Sequence, residues 1–115
     1  MAEDDLPVRL NRAAALERLG SHVQIYQQVL DMFQQQLPAT CADIEAHLQA
    51  GRRPEAARLA HSIKGSAGAV GAERLLHRAA AAERALAGTA GGDAAVAVAA
   101  LLEEARAVLA ELRGA

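Results

Sequence analysis

The sequence predicts an all-α fold, an antiparallel four-helix bundle with a short additional N-terminal helix. Three observations carry that prediction. Alanine, the strongest helix former, supplies about a quarter of the 115 residues. Aromatic residues make up 2%, and Val, Ile and Thr are scarce, so little in the chain favours strands. Apolar residues also recur at helical rather than alternating spacing. A chain of this length supports one domain with one modest core, which must be built from Leu, Val, Ile and Ala.

Each helix has its own signals. The first spans about Asn11 to Leu19, with Leu16 and Leu19 at i,i+3 and Gly20 as its stop. Ser21 opens the second, and Gln24 three residues later completes a capping-box pattern. This segment runs to about Ala50 with Val23, Tyr26, Val29/Leu30, Phe33, Leu37, Cys41, Ile44 and Leu48 as its apolar stripe. Pro38 interrupts it, and a kink is expected there because an interior proline costs about 3 kcal/mol. Gly51 ends the second helix, and Pro54 starts the third in its first turn, where a missing N–H costs nothing. The third ends near Val70-Gly71. The fourth covers about Ala72 to Ala87 with Leu75, Ala79, Ala82 and Leu86 as its seam. Gly88 to Gly92 reads as a flexible loop, and Asp93 is a good N-cap for the last helix. That helix shows Ala95, Val98, Leu102, Ala105, Leu109 and Leu112 at heptad spacing. Residues 1–10 read as a flexible N-terminus, leaving 11–115 as the single domain.

Composition excludes several function classes. The formal net charge of −2 gives no argument for nucleic acid or an anionic membrane as a partner, and neither is expected. The one cysteine, Cys41, rules out an internal disulfide and a cysteine-based zinc cluster, and its place on an apolar stripe predicts an inert, packed thiol. The acidic first residues do not form a signal peptide. The longest apolar run, Ala94 to Leu102, is far short of the ~20 residues needed to cross a bilayer. A soluble, cytoplasmic, monomeric domain is expected.

The most informative residue is His61. On a wheel of about 100° per residue, Leu59, Ile63 and Val70 cluster within about 20° of the point opposite it, so the imidazole points to solvent. Ala57, Gly65, Gly68 and Ala72, all small, share its exposed side, flanked by Arg58 and Lys64. Gly65 and Gly68 each cost a helix roughly 1 kcal/mol against alanine. Both fall within about 40° of His61 and away from the apolar seam, which favours a macromolecule coming down on bare backbone over helix packing. Lys64, one turn after His61, and Arg58, one turn before, can stabilise negative charge gathered on the ring. Arg52, Arg53 and Arg74 make both ends of this helix basic and point to an acidic partner surface.

Other chemistries lack their patterns. Gly65-Ser66-Ala67-Gly68 fits neither Gly-x-x-x-x-Gly-Lys-Ser/Thr nor Gly-x-Gly-x-x-Gly after a strand, so nucleotide binding is rejected. His22, His47 and His77 sit on other helices, and none has a second metal ligand at i+3 or i+4. No Gly-x-Ser-x-Gly elbow is present. Glu83 and Glu103-Glu104 read as ordinary exposed helix charges.

The segment from Ala60 to Gly71, AHSIKGSAGAVG, resembles the signature of histidine-containing phosphotransfer (HPt) domains. Ala15 to Gly20 is similar to the family's opening segment, Tyr26 to Phe33 to its next helix, and Leu75 to Leu86 to the helix after the histidine. The resemblance implies a four-helix bundle whose exposed histidine accepts a phosphoryl group from a receiver-domain aspartate and passes it to another receiver. It implies that His61 is the phosphoacceptor through Nε2 and that Lys64 helps hold the phosphoryl group. It also implies that Gly65 and Gly68 give the receiver clearance. The partners implied are response-regulator receiver domains. The chain itself needs no cofactor, since the Mg²⁺ and acidic residues come from the receiver. Arg53-Pro54 departs from the acidic or polar cap common in the family. The chemistry fits, because an ordinary histidine titrates near 6.5 and a neutral imidazole is nucleophilic near pH 7. The competing reading is a non-phosphorylated helical adaptor that binds a partner through the small-residue face. Met1 and the lack of any ATP-binding or dimerisation region favour a free-standing protein without kinase activity of its own.

Overall fold

The computed structural model describes residues 6–88 and 93–114. It contains α1 (Arg12–Arg18), α2 (Val23–Gln49), α3 (Arg53–Val70), α4 (Glu73–Ala87) and α5 (Ala94–Leu112), with no strand among the described residues. The four long helices pack in a ring, α2 on α3, α3 on α4, α4 on α5 and α5 back on α2, while α1 lies against α2 and α3. None of the described helices is long and apolar enough to cross a membrane.

The core follows from the periodicity. Tyr26, Leu30, Phe33, Leu37 and Ile44 point inward from α2, and Leu75, Ala79, Ala82 and Leu86 from α4, as their spacing predicts. Each large side chain buried in this way stabilises the fold by about 1.5–3 kcal/mol. The α3–α4 interface is lined by alanines, including Ala60, Ala67, Ala79 and Ala82, all fully buried, so the two backbones approach closely. On α5 the heptad reading is only half right. Val98, Ala105 and Leu109 are buried, but Ala95 is exposed and Leu101, Glu104 and Val108 turn inward instead. A helix of 3.6 residues per turn drifts off a strict seven-residue seam.

The helix ends hold further differences. Ser21 does not cap α2. It has φ 63°, follows Gly20 at φ 65°, and its N–H bonds the Leu16 carbonyl at 2.9 Å, so it completes the end of α1. His22 takes the N-cap place with no side-chain cap bond. Through Pro38, α2 continues as one helix. Asp93 caps α5 as predicted, accepting from Ala95 N at 2.8 Å. The rest of the predicted loop, residues 89–92, lies outside the described residues.

Of the N-terminal segment read from sequence as flexible, residues 1–5 lie outside the described residues, and the described part is bonded to the bundle from Pro7 onward. Arg9 donates to both oxygens of Glu104, at 2.8 and 3.3 Å. Arg74 donates to the Pro7 and Val8 carbonyls, and Asn11 N to Gly71 O at 2.7 Å. Gly71 ends α3 at φ 85°, with Ala72 N bonding Ala67 O at 2.9 Å. A Cβ at Gly71 would also run into the Asn11 carbonyl, so this turn needs glycine for its φ and for its space.

Candidate functional site

Ala56, Ala60, Ile63, Ala67 and Val70 form the buried stripe of α3 at i, i+4, i+7, i+11 and i+14. With that stripe inward, His61 stands on the outer face and 64% of its side chain is exposed. Leu59, expected opposite His61 in the core, is only half-buried at its edge.

The close α3–α4 pairing brings a residue the sequence reading passed over to the histidine. Glu83 of α4 places Oε2 2.9 Å from His61 Nδ1 and Oε1 2.8 Å from Lys64 Nζ. The Lys64 hydrogen bond, the largest influence, outweighs partial burial and joins with His61 to hold the Glu83 carboxyl below its usual 4.5. Glu83 is therefore ionised at neutral pH and can only accept hydrogen bonds. The Nδ1 of His61 must then be the donor. That fixes the neutral ring's proton on Nδ1 and leaves the Nε2 lone pair free and facing solvent. Lys64, half-buried, spends one of its three N–H donors on Glu83 and keeps two. A signal for Glu83 existed. His61 and Glu83 stand 10 and 12 residues from Gly71, so an antiparallel hairpin turning at that glycine sets them at the same height.

The small-residue face divides. A Cβ at Gly65 would meet nothing within 4 Å, so this glycine leaves open space beside His61. Gly68 does not. A Cβ there would come 3.2 Å from Leu76 Cδ1, and its carbonyl accepts from Arg18 Nη2 at 2.8 Å. Gly68 serves the approach of α4 and α1, because α3 packs on helices on both of its flanks and the wheel allowed for one seam. Ala57 is half-buried against the core. Ala72 is fully buried: the left-handed turn at Gly71 ends the helix, so the wheel has lost its phase one residue later. Neither alanine lies open on the His61 face.

The basic helix ends are mostly occupied. Arg53 donates to the Ala85 and Leu86 carbonyls at the end of α4, Arg74 to Pro7, and Arg52 to His47 Nδ1 at 2.9 Å. Arg58 remains 74% exposed, with Glu55 at 4.0 Å, the outer limit of an ion pair. Among the described residues no group of three or more His, Cys, Asp or Glu could hold a metal ion. Cys41 is half-buried, and burial pushes its thiol up to about 11, which keeps it protonated.

The family model of the Hpt domain matches residues 28–115, a span that holds His61, Lys64, Gly65 and Glu83. No curated protein and no solved structure matches the chain.

Proposed function

The chain belongs to the Hpt domain family, histidine phosphotransfer modules that interact with receiver domains in phosphorelays, and on that premise we propose that His61 is its phosphoacceptor. The phosphoryl group comes from a receiver-domain aspartate and leaves to another. The observation that carries this reading is the pairing of His61 Nδ1 with Glu83 while the other side of the ring stays exposed.

The chemistry follows from that pairing. The Nε2 lone pair attacks the phosphorus of the aspartyl phosphate, the N–P bond forms, and the P–O bond to the aspartate breaks with its electrons leaving on the carboxylate. No proton has to leave Nε2, because the tautomer held by Glu83 carries none there. The ring becomes an imidazolium, and the Glu83 carboxylate on Nδ1–H stabilises that charge. Lys64 turns a free N–H toward the transferred oxygens. The open space at Gly65 admits the receiver, which brings its own acidic residues and Mg²⁺. Return transfer runs the same steps backward.

The test is direct. Incubated with a phosphorylated receiver domain, the wild-type chain acquires acid-labile, base-stable label and His61→Gln acquires none. Equal label on both would move the acceptor elsewhere.

A further inference from the structure

The seam between α4 and α5 carries a surface that phosphotransfer at His61 does not use. A groove of about 320 Å³ runs along it, lined by alanines of both helices, Ala81 and Ala85 on α4 and Ala97 and Ala100 on α5. Val96 stands at the edge of the groove and is 66% exposed. Ala81 and Ala85 each lie two residues from Glu83, about 160° around α4, so the groove faces away from His61.

The charges along this seam are sorted by helix. α4 brings Arg78 and Arg84, and α5 brings Asp93 and Glu103. Residues that line one cleft from opposite helices stand at about one height. Arg78 and Glu103 share a smaller cleft of about 80 Å³ with Ala100. Arg84 and Asp93 line the groove nearer the end of α4 and the start of α5. Neither Arg78 nor Glu103 forms an ion pair with another described residue.

We infer that the chain, expected from its sequence to be monomeric, pairs with a second copy of itself through this face, about a two-fold axis that runs along the helices. Such an axis keeps each residue's height and sets α4 of one copy against α5 of the other. Arg78 then meets Glu103 of the second copy, Arg84 meets its Asp93, and each Val96 enters the other copy's groove against Ala81 and Ala85. The face complements itself because it holds both knob and groove, and both signs of charge. A wholly acidic partner would meet Asp93 and Glu103 as like charges, and a wholly basic one would meet Arg78 and Arg84. The area sets the strength. Two helices about 22 Å long and about 10 Å wide cover on the order of 450 Å² per copy, about half of a standard interface, so pairing is micromolar rather than nanomolar. Both copies keep His61 open.

Sedimentation equilibrium on the full chain, from about 5 µM to about 1 mM, should show a reversible monomer–dimer equilibrium. Val96→Asp should raise its Kd about tenfold or more, while Val23→Asp, at a side chain just as exposed but on α2, should leave it unchanged. Arg78→Glu and Glu103→Arg should each raise the Kd about tenfold or more, because symmetry sets like charges together twice. Mixed in equal amounts, these two variants should pair with each other about as tightly as wild type, since both contacts then join opposite charges. Recovery on mixing also shows that both variants are folded. A wild type that stays monomeric throughout, a Val23→Asp loss equal to that of Val96→Asp, or no recovery on mixing would overturn the pairing. Phosphoramidate, a small phosphodonor that needs no docking surface, should label His61 as fast in the dimer as in the monomer, and slower labelling of the dimer would overturn this orientation. The sedimentation results stand whether or not His61 is the phosphoacceptor.

Discussion

Glu83 and Glu104 are both helix carboxylates paired with cations, but they stand in different surroundings. Glu83 sits at the rim of the α3–α4 interface with 28% of its side chain exposed, shared between His61 and Lys64. Glu104 is 7% exposed, turned inward on α5, and held by Arg9 from the other end of the chain. A rim ion pair adds little to stability, because water solvates both charges nearly as well when they part. A buried carboxylate left without its partner is costly, because nothing replaces the lost hydration. Glu83 thus adds little to the fold, while Glu104 serves it by fastening the N-terminal segment to the bundle.

The largest expected effect tests the Glu104 side of this comparison. Arg9→Ala leaves a buried carboxylate unpaired and should destabilise the fold by about 3 kcal/mol, the low end of the range for broken buried pairs because Arg9 is itself 35% exposed. In a domain this size that is a fall in Tm of roughly 10 °C or more. Well below the new Tm, label uptake by His61 should match wild type. A slowed transfer with an unchanged melt would mean that the N-terminal segment belongs to the site.

Glu83→Ala should do the reverse. Uptake from a phosphorylated receiver should slow about tenfold, as when a carboxylate that orients a histidine is lost, with a melt within about 1 kcal/mol of wild type. Nitrogen NMR gives a readout that a merely structural role would not move. The neutral ring of His61 should carry its proton on Nδ1 in the wild type and shift toward Nε2 in the variant. The pH dependence has a definite sign. The folded Glu83 carboxyl titrates below its usual 4.5, so its contribution to stability is present in full above that value and is lost as pH falls through the lower folded value. Below pH 4.5 the wild type should therefore lose stability more steeply than Glu83→Ala.

The sequence carried the helices and the phase of His61 because both rest on one short periodicity. The stripe of α4 and most of that of α2 read correctly for the same reason, but Val23, placed at the head of the α2 stripe, is 65% exposed in the first turn of its helix. It did not carry what depends on how two helices meet. Glu83 has no local mark as a partner of His61, and only the height set by the turn at Gly71 joins them. Glu104 looked like Glu103 beside it, since choosing which one turns inward required the drift of α5 off its heptad. Arg53 and Arg74 read as free positive charge until carbonyls of α4 and of the N-terminal segment claimed them. Ala72 went astray by a single residue, at the point where the helical wheel ceased to apply.

Gly65 and Gly68 repeat the contrast between site and fold on a smaller scale, with the smallest expected effects. Alanine in a helix is more stable than glycine by about 1 kcal/mol where nothing else changes. At Gly65 nothing else does, since a Cβ meets no atom within 4 Å. Gly65→Ala should then raise Tm by about 4 °C or more. At Gly68 the same Cβ comes 3.2 Å from Leu76 Cδ1, the end of a side chain that can give a few tenths of an ångström, so Gly68→Ala should gain less than Gly65→Ala or nothing. A larger side chain separates the two roles further. Gly65→Leu should fold and take label from phosphoramidate yet show a raised KM for the receiver, because it fills the space the partner needs. Gly68→Leu should lower Tm, because it pushes against Leu76 and α4. If Gly65→Ala instead lowered Tm by several degrees, Gly65 would be a packing glycine like Gly68, and the space beside His61 would have to be explained without a visiting partner.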